Sequence, residues 1–468
     1  MMKVSGSKAC CPYLKAMIVL LAFCVALTCV SCSHEIGYAG SAAASEEGWT
    51  TVVYMAADND LEGEALNDFN EMISAAAGLG KAGHTVLVLL DRAPGYDASS
   101  GDWTDTRLFL IDPDMDDSDN GAPPYVQIDC LPLGLTAGTL TELDMASPQT
   151  LSQVLRFAEA YYPAENYALI MWGHGSGWRG YAVDEQSSSL MSLPELHEAV
   201  SSLDTRLSVV AFDCCYGAMI ETAYELRDDA EVLVATERDE PAAGWNYAYL
   251  LQNLVKNEGP ASGTPAERYA RCVVDAFGRQ YADTDGVSIT AVSLSETGGV
   301  FKAFDRFSEA CAACLTSRDS SISFSSEIIS RPASFLTGEY PAYRFIDIKG
   351  LADAFLESSL PLCGASLKAA ASLAAEQLEK ALGKATLLSF TGGSGITEGM
   401  SETPMLAVYL ATVRTGGVVN AEYPQLYVRG SGVGGQCAFV RDSIGWVPQQ
   451  NLFESTSLLD TLYRKALP

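Results

Sequence analysis

Two apolar segments, which begin at residues 167 and 207, each run into a turn that carries reactive side chains. The first leads into Trp-Gly-His-Gly at 172–175 and the second into Phe-Asp-Cys-Cys at 212–215. Short apolar runs of this kind are typical of strands that are buried on both faces of a parallel sheet. Because open α/β sheets bind ligands outside the carboxyl ends of their strands, we expect His174 and Cys215 to meet at one edge of the sheet. A cysteine beside a histidine forms a nucleophile with its acid/base partner.

Strand-like and helix-like segments alternate from Trp49 onward. The strand-like segments are 51–57, 84–90, 107–111, 167–172, 207–213, 231–236 and 287–294, and the helix-like segments are 61–79, 148–161, 193–203, 218–226 and 297–315. This alternation predicts a mostly parallel sheet with helices on both faces. The expected fold class is therefore α/β, in a three-layer α/β/α sandwich.

The last third of the chain has a different pattern, and we assign residues 296–468 to a smaller C-terminal accessory region of helices and β structure. Residues 319–326 are rich in serine, which predicts an exposed loop. Residues 351–382 are rich in Ala and Leu, which predicts a helical region. A strand is expected at 404–412, and the glycine-rich stretch 416–435 predicts β structure with turns.

Four motifs, in this order, resemble the clostripain family of caspase-like cysteine peptidases. They are Thr-Val-Val-Tyr-Met-Ala-Ala-Asp-Asn-Asp-Leu-Glu at 51–62, Trp-Gly-His-Gly at 172–175, Phe-Asp-Cys-Cys at 212–215 and Glu-Arg-Asp-Glu-Pro-Ala-Ala-Gly-Trp at 237–245. The resemblance covers roughly residues 49–295. It implies a caspase-like sheet and a peptidase core over this range.

The resemblance implies a role for each reactive residue. Cys215 would be the nucleophile and His174 the acid/base, with the backbone N–H groups of Gly175 and Cys215 as the oxyanion hole. Asp213 would lie in the S1 pocket and pair with a basic P1 side chain, and the period of two along a strand puts it on the same face as Cys215. The implied function is an extracytoplasmic cysteine endopeptidase that hydrolyses peptide bonds after Arg, or Lys, through a Cys-His dyad and an acyl-enzyme. Its partners would be protein or peptide substrates with basic residues.

Alternatives to these assignments stay open. Cys214 is a second candidate nucleophile, although neighbouring side chains of an extended segment point to opposite faces, and a vicinal disulfide with Cys215 would silence the enzyme. Asp213 is also a candidate cap of the following helix. Asp58 and Asn59 would line the rim of the site or stabilise a turn. The alternative function is a catalytically silent surface-binding lipoprotein that retains the peptidase fold. A serine hydrolase is not supported, because no Gly-x-Ser-x-Gly elbow stands at a strand end.

Acidic residues outnumber basic ones by 59 to 29, for a formal net charge of −30. Nucleic-acid binding is excluded as a main function, because phosphate affinity needs clustered Lys and Arg.

The N-terminus reads as a targeting segment. Three lysines precede the apolar run 16–30, which is short for a membrane span. Ser31 directly before Cys32 resembles a bacterial lipoprotein processing site. We therefore predict a signal peptide over 1–31, lipidation of Cys32, a flexible tether over 32–48, and a lipid-anchored position in the bacterial cell envelope. Ordinary signal-peptide cleavage, which would give a secreted protein, and an uncleaved anchor are the alternatives.

No cofactor and no metal site is predicted from the residues. Calcium dependence is known in the family, but the chain has no EF-hand-like run of liganding oxygens, and Asp184 with Glu185 are too few to define a site. Cys311 and Cys314 have CxxC spacing without a second pair or a nearby histidine, which argues against zinc. Disulfides among the six mature cysteines other than 214 and 215 stay open.

Overall fold

A computed structural model describes residues 48–111, 123–256, 263–329, 335–336, 343–393, 405–411, 436–443, 458–459 and 461–462. The predicted signal peptide, Cys32, all of the tether before residue 48 and the glycine-rich stretch 416–435 lie outside these residues, so their assignments stay predictions. No helix in the described ranges is long and apolar enough to cross a membrane.

Fourteen strands and eleven α-helices are distinguished in the described residues. The strands are β1 (Trp49–Ala57), β2 (His84–Arg92), β3 (Thr106–Ile111), β4 (Tyr125–Gln127), β5 (Asn166–Gly173), β6 (Tyr181–Asp184), β7 (Ser189–Met191), β8 (Leu207–Asp213), β9 (Ala230–Ala235), β10 (Ser288–Ser293), β11 (Phe335–Leu336), β12 (Tyr343–Asp347), β13 (Thr386–Thr391) and β14 (Ala407–Ala411). The helices are α1 (Glu62–Ser74), α2 (Pro148–Tyr161), α3 (Leu193–Val200), α4 (Ile220–Glu225), α5 (Tyr247–Lys256), α6 (Pro265–Gln280), α7 (Thr297–Cys314), α8 (Arg318–Ser323), α9 (Ile348–Glu357), α10 (Ala365–Ala385) and α11 (Ala438–Asp442).

Nine strands form one central sheet in the order β13-β10-β9-β8-β5-β1-β2-β3-β4. The five central strands, from β9 to β2, are parallel, and the pairs at both flanks are antiparallel. The predicted α/β class with a mostly parallel sheet is therefore confirmed.

Helices cover both faces of this sheet, because side chains of a buried strand alternate between two cores. Val53 and Met55 of β1 pack in the core that also contains buried residues of α1, α5 and α6. Val52 and Tyr54 pack in the opposite core, which includes buried residues of α2, α3, α4, α7, α9 and α10. The result is the expected three-layer sandwich.

The accessory region contributes to both the large sheet and a small one. Strand β13 pairs with β10 at the edge of the central sheet, whereas β11, β12 and β14 form a separate three-stranded sheet. The backbone N–H of Ala407, at the start of β14, donates to Ala218 O at 2.9 Å. This contact supports the segment that follows the predicted nucleophile. The domain boundary at residue 295 stays a prediction.

One secondary-structure prediction in the last third is wrong, and another is refined. The serine-rich segment 319–326 is helical: α8 is followed by a π-helix over Phe324–Ile329. Ser317 caps α8 by accepting a hydrogen bond from Ser320 N at 3.1 Å, and Phe324 is buried, so the serines begin a helix that the aromatic side chain anchors. The helical region predicted over 351–382 is split into α9 and α10, with Pro361 in the connection. Helices α5 and α6 were not predicted.

One disulfide is present in the described residues. Cys314, at the end of α7, is bonded to Cys363 in the connection between α9 and α10. Cys311 is a free, buried thiol.

Candidate active site

The three central strands β1, β5 and β8 end next to one another. Trp172 of β5 is paired with Met55 of β1 and with Asp213 of β8. His174 and Cys215 therefore leave adjacent strand ends, and both line one pocket, which Asp213 and Glu240 also line. The sequence prediction that His174 and Cys215 meet at one edge of the sheet is confirmed.

Cys215 is half-buried and its sulfur contacts the segment that follows β9. The backbone N–H of Glu240 donates to Cys215 Sγ at 3.3 Å, and the thiol in turn faces Glu240 O at 3.9 Å. Burial, together with repulsion from Asp239 and Glu240, raises the pKa of the Cys215 thiol to about 12, against a lowering effect of the Glu240 N–H. The sulfur is thus a neutral thiol here, and it needs a base to become a nucleophile.

Cys214 also lines this pocket, but its side chain is buried and packs in the apolar core. It is buried and belongs to the apolar cluster beneath the sheet, whereas Cys215 lies at the edge of that cluster. Burial raises the pKa of the Cys214 thiol well above its usual range. Both thiols are protonated, but Cys214 is buried whereas Cys215 is partly exposed, so accessibility favours Cys215 as the nucleophile.

Gly175 is required by the close approach of the two reactive turns. A Cβ at this position would lie 2.2 Å from Cys215 O and 2.9 Å from Cys214 Sγ. Any side chain would therefore push the histidine turn away from the cysteine turn.

The turn after Cys215 is fixed by the neighbouring turn after β9. Tyr216 N donates to Arg238 O at 2.9 Å, and Ala218 N donates to Thr236 O at 2.7 Å. Tyr216 has φ of 58°, a left-handed conformation that non-glycine residues seldom adopt. Helix α4 begins only at Ile220 and has six residues, so the expected helix over 218–226 starts later and does not place its N-terminus at the sulfur.

His174 is oriented by an acidic residue from the first strand end. Its Nε2 lies 2.7 Å from Asp60 Oδ1, and the two side chains are 39% and 64% exposed. This contact engages Nε2 of the ring. Asp60 was not singled out from the sequence, although it lies in the Asp-Asn-Asp motif.

Asn59 holds the turn that presents Asp60. Its buried amide donates to Ala56 O at 2.9 Å and to Val183 O at 3.0 Å, and its Oδ1 accepts from Leu61 N at 3.0 Å. Asn59 therefore stabilises a turn, which was one of its two predicted roles. Asp58 is also buried and does not line the rim.

Asp213 is buried, lines the pocket and accepts hydrogen bonds from the segment that follows β9. Its Oδ2 accepts from Tyr247 Oη at 2.8 Å and from Trp245 N at 3.3 Å. The helix-cap alternative is wrong, because the N-cap of α4 is Met219 and no side chain caps it. Burial raises the pKa of Asp213 to about 7, against the lowering effect of the Tyr247 and Trp245 donors.

Two further carboxyl groups surround Asp213, and the sequence analysis singled out neither. Asp68 of α1 is buried and accepts from Trp172 Nε1 at 2.7 Å, and Glu240 accepts from Trp245 Nε1 at 2.6 Å. Burial, followed by repulsion from Asp213, raises the pKa of Asp68 to about 10 and that of Glu240 well above its usual range.

Gly244 lies between two of these groups. It has φ of 54°, and a Cβ there would lie 2.9 Å from Asp68 Oδ2 and 3.1 Å from Asp213 Oδ2. Among the described residues, none of the three carboxyls takes part in an ion pair. Asp213 and Glu240 thus line the pocket without a basic side chain paired to either of them in the described residues.

A model of the clostripain family matches residues 53–359, which is more than half of the chain. The chain belongs to the clostripain family. Clostripain from Hathewaya histolytica is 25% identical over 240 residues, which are 45% of this chain and 43% of that protein. The chain thus spans less than half the length of this curated relative.

Two solved structures have a similar fold. A secreted C11 cysteine protease from Bacteroides thetaiotaomicron, in complex with an irreversible peptide inhibitor, has a TM-score of 0.56 at 20% identity and covers 81% of this chain and 96% of its own. An inactive zymogen C11 protease from Parabacteroides distasonis has a TM-score of 0.53 at 17% identity and covers 78% of this chain and 92% of its own. At these identities the likeness establishes the fold, which is that of C11 proteases.

Proposed function

We propose that this chain is a cysteine endopeptidase that cleaves after basic P1 residues, Arg or Lys, with Cys215 as nucleophile and His174 as acid/base. The observation that carries the proposal is one pocket that His174, Cys215 and the buried carboxyl of Asp213 line together. Membership in the clostripain family supports the reaction class.

The Cys-His chemistry starts from a neutral thiol. His174 takes the proton from Cys215 as Sγ adds to the substrate carbonyl carbon, and the carbonyl oxygen becomes an oxyanion. The backbone N–H groups of Gly175 and Cys215 are the proposed donors to that oxyanion. The imidazolium then protonates the leaving amine, and water hydrolyses the thioester to regenerate the thiol. Asp60 contacts Nε2 of the ring and would restrict the orientation of the imidazole.

The specificity proposal rests on the charge of the pocket. Asp213 has a pKa of about 7 and is half-ionised near neutral pH, whereas Asp68, at about 10, stays protonated. A P1 guanidinium that enters would pair with the ionised Asp213, and a bidentate pair of this kind favours Arg over neutral side chains.

We further propose an extracytoplasmic location, with processing before Cys32 and attachment to the membrane by lipid. The Bacteroides relative is described as secreted, which supports the export of this chain. The lipid anchor rests on the sequence pattern at 31–32 alone.

Fluorogenic peptides that end in Arg, Lys, Asp, Asn or Ala at P1 test the proposal. We expect wild type to release fluorophore from the Arg and Lys peptides, and Cys215→Ala to release none while it unfolds at the wild-type temperature. His174→Ala should lose roughly 10²–10⁴-fold in kcat, the usual worth of general acid–base catalysis.

The silent-lipoprotein alternative makes the opposite prediction. If wild type and Cys215→Ala bind a basic peptide equally well and neither cleaves it, the peptidase proposal is wrong and the fold serves binding alone.

A further inference from the structure

Tyr216 directly follows the proposed nucleophile, in a backbone conformation that needs support. Its φ of 58° lies in the left-handed region, which a non-glycine residue keeps only where surrounding contacts hold it. The side chain is buried, with 4% of its surface exposed. A phenylalanine would fill the same space, so packing alone does not account for the phenolic hydroxyl.

Four contacts hold Tyr216 from different sides. Its N–H donates to Arg238 O at 2.9 Å, and its carbonyl oxygen accepts from Tyr181 Oη at 3.0 Å. Its ring packs on Phe345 of β12, with the ring centroids 4.4 Å apart. Its Oη donates to Asp239 Oδ1 at 2.5 Å. Burial, followed by the hydrogen bond to Asp239, raises the pKa of the Tyr216 phenol well above its usual range, so the hydroxyl stays protonated and remains a donor.

The hydrogen bond to Asp239 connects the two turns that meet at the Cys215 sulfur. Asp239 lies directly before Glu240, whose backbone N–H donates to Cys215 Sγ at 3.3 Å. Tyr216 lies directly after Cys215 and holds the residue next to that donor. An N–H donor stabilises the thiolate more than the thiol, because it interacts more strongly with the charged form. The phenol thus holds in place a group that helps the sulfur to ionise.

We propose that Tyr216 is a positioning residue, whose phenolic hydrogen bond to Asp239 keeps the Glu240 N–H on the Cys215 sulfur. This inference rests on the proposed function, in which Cys215 is the nucleophile. Tyr216 acts on the sulfur through the Glu240 donor and is therefore not itself a catalytic residue.

The groups around the Cys215 thiol give the sign of the expected effects. Burial is the largest cause of the raised pKa of this thiol; the Glu240 N–H lowers the pKa, and repulsion from Asp239 and Glu240 raises it. Loss of the N–H contact therefore disfavours the thiolate, whereas removal of the Asp239 charge favours it. The other titratable side chains that line the same pocket are those of His174, Asp213 and Cys214.

Tyr216→Phe tests the proposal, because it removes the hydroxyl and keeps the ring. The parent is Cys214→Ala, so that iodoacetamide finds one thiol in the pocket. We expect kcat for a P1 Arg peptide to fall roughly tenfold to hundredfold with KM nearly unchanged, since a small misplacement of a reacting group costs up to about 10²-fold. Because the thiolate is the reactive form, alkylation of Cys215 should slow at least about threefold at each pH from about 8 to about 10.

Matched variants separate positioning from packing. Tyr224→Phe on α4 removes a similar hydrogen bond, from Tyr224 Oη to Asp442 Oδ2 at 3.2 Å, and should leave kcat and the alkylation rate unchanged. Asp239→Ala, at an exposed position, breaks the Tyr216 hydrogen bond from the other side and should lower kcat as Tyr216→Phe does. Asp239→Asn should recover most of that loss, because its amide oxygen still accepts from the phenol. It should also speed alkylation, since the negative charge is gone.

Wild-type kcat and alkylation in Tyr216→Phe overturn the proposal. Faster alkylation in Tyr216→Phe overturns it as well, because the hydroxyl would then only pack the turn and shield the sulfur. If Tyr216→Phe does not fold, Asp239→Ala decides, and an unchanged kcat in that variant refutes a role for the hydrogen bond. If the parent cleaves no peptide, the proposed function fails, and the alkylation rates still show whether Tyr216 positions the Cys215 sulfur.

Discussion

The substitution Asp213→Asn isolates the charge at the base of the proposed S1 pocket. Asparagine has nearly the same shape, and its carbonyl oxygen can still accept from Tyr247 Oη and Trp245 N, which lie 2.8 and 3.3 Å from Asp213 Oδ2. The change therefore removes a negative charge while it keeps the local hydrogen bonds. Asp68 does not replace that charge, because burial, the largest of the effects on it, raises its pKa to about 10.

The expected loss follows from leaving a desolvated guanidinium without its counter-charge. Truncation of one partner of such a buried pair costs about 2–5 kcal/mol. At about 1.4 kcal/mol per tenfold, kcat/KM for P1 Arg peptides should fall by about 30-fold to about 4000-fold. Hydrolysis of a matched P1 Ala peptide should change little, since its side chain does not reach the carboxyl.

The assay is the ratio of kcat/KM for P1 Arg to that for P1 Ala, measured from about pH 5.5 to about 8.5. The ratio cancels the ionisation of the catalytic dyad, which both substrates share. Because the pKa of Asp213 is about 7, we expect the wild-type ratio to rise as pH increases through that value. The ratio for Asp213→Asn should be low and flat.

Asp68→Asn provides the comparison at a neighbouring buried carboxyl. Asp68 is protonated near neutral pH, so its replacement should lower the Arg-to-Ala ratio far less than Asp213→Asn does. An Asp213→Asn enzyme that keeps the wild-type ratio would refute the reasoning. So would a loss of preference in Asp68→Asn that equals the loss in Asp213→Asn.

Three further predictions concern Cys214, Asp60 and Cys32. Cys214→Ala should retain most of the activity that Cys215→Ala lacks, because Cys214 is packed in the core; equal loss in both, with both folded, would contradict this. Asp60→Asn should lower kcat about twofold to fivefold with KM nearly unchanged, the usual worth of an exposed pair; a change in KM alone would instead indicate substrate contact. Cys32→Ala should move the protein from the membrane to the soluble fraction, and mass spectrometry of an unmodified mature N-terminus would rule out lipidation.

The sequence predicted the strands that carry the site, because their apolar runs and glycine turns are local signals. Residues 166–173 and 207–213 are strands as expected, and His174 and Cys215 follow them. No local signal pointed to Asp68. Its position on α1, close in sequence to Leu66 and Phe69, predicts an exposed side chain. Only the tertiary fold places it against Trp172.

The prediction of a loop over the serine-rich segment 319–326 failed because its local signal is ambiguous. Serines at 317 and 320 are frequent in loops, but the same hydroxyls cap helices, and local composition cannot choose between the two. Burial of Phe324 and Ile328 decides in favour of helix. That burial depends on α9, whose Phe355 ring lies 6.4 Å from the Phe324 ring.

The ionisation of Asp213 is controlled by its burial rather than by the net charge of −30. The pKa of Asp213 is raised from 3.8 to about 7 in the folded chain, so the folded state binds this proton more tightly than the unfolded state does. The stability contributed by the proton is fully present below pH 3.8 and is lost as pH rises through about 7. At 1.36 kcal/mol per pKa unit, the difference corresponds to about 4 kcal/mol. A basic P1 group that pairs with the ionised carboxyl offsets this loss, whereas a neutral one does not. The preference for P1 Arg over P1 Ala therefore arises because burial already destabilises ionised Asp213 in the free protein. A solvent-exposed aspartate at the same distance would give a far weaker preference.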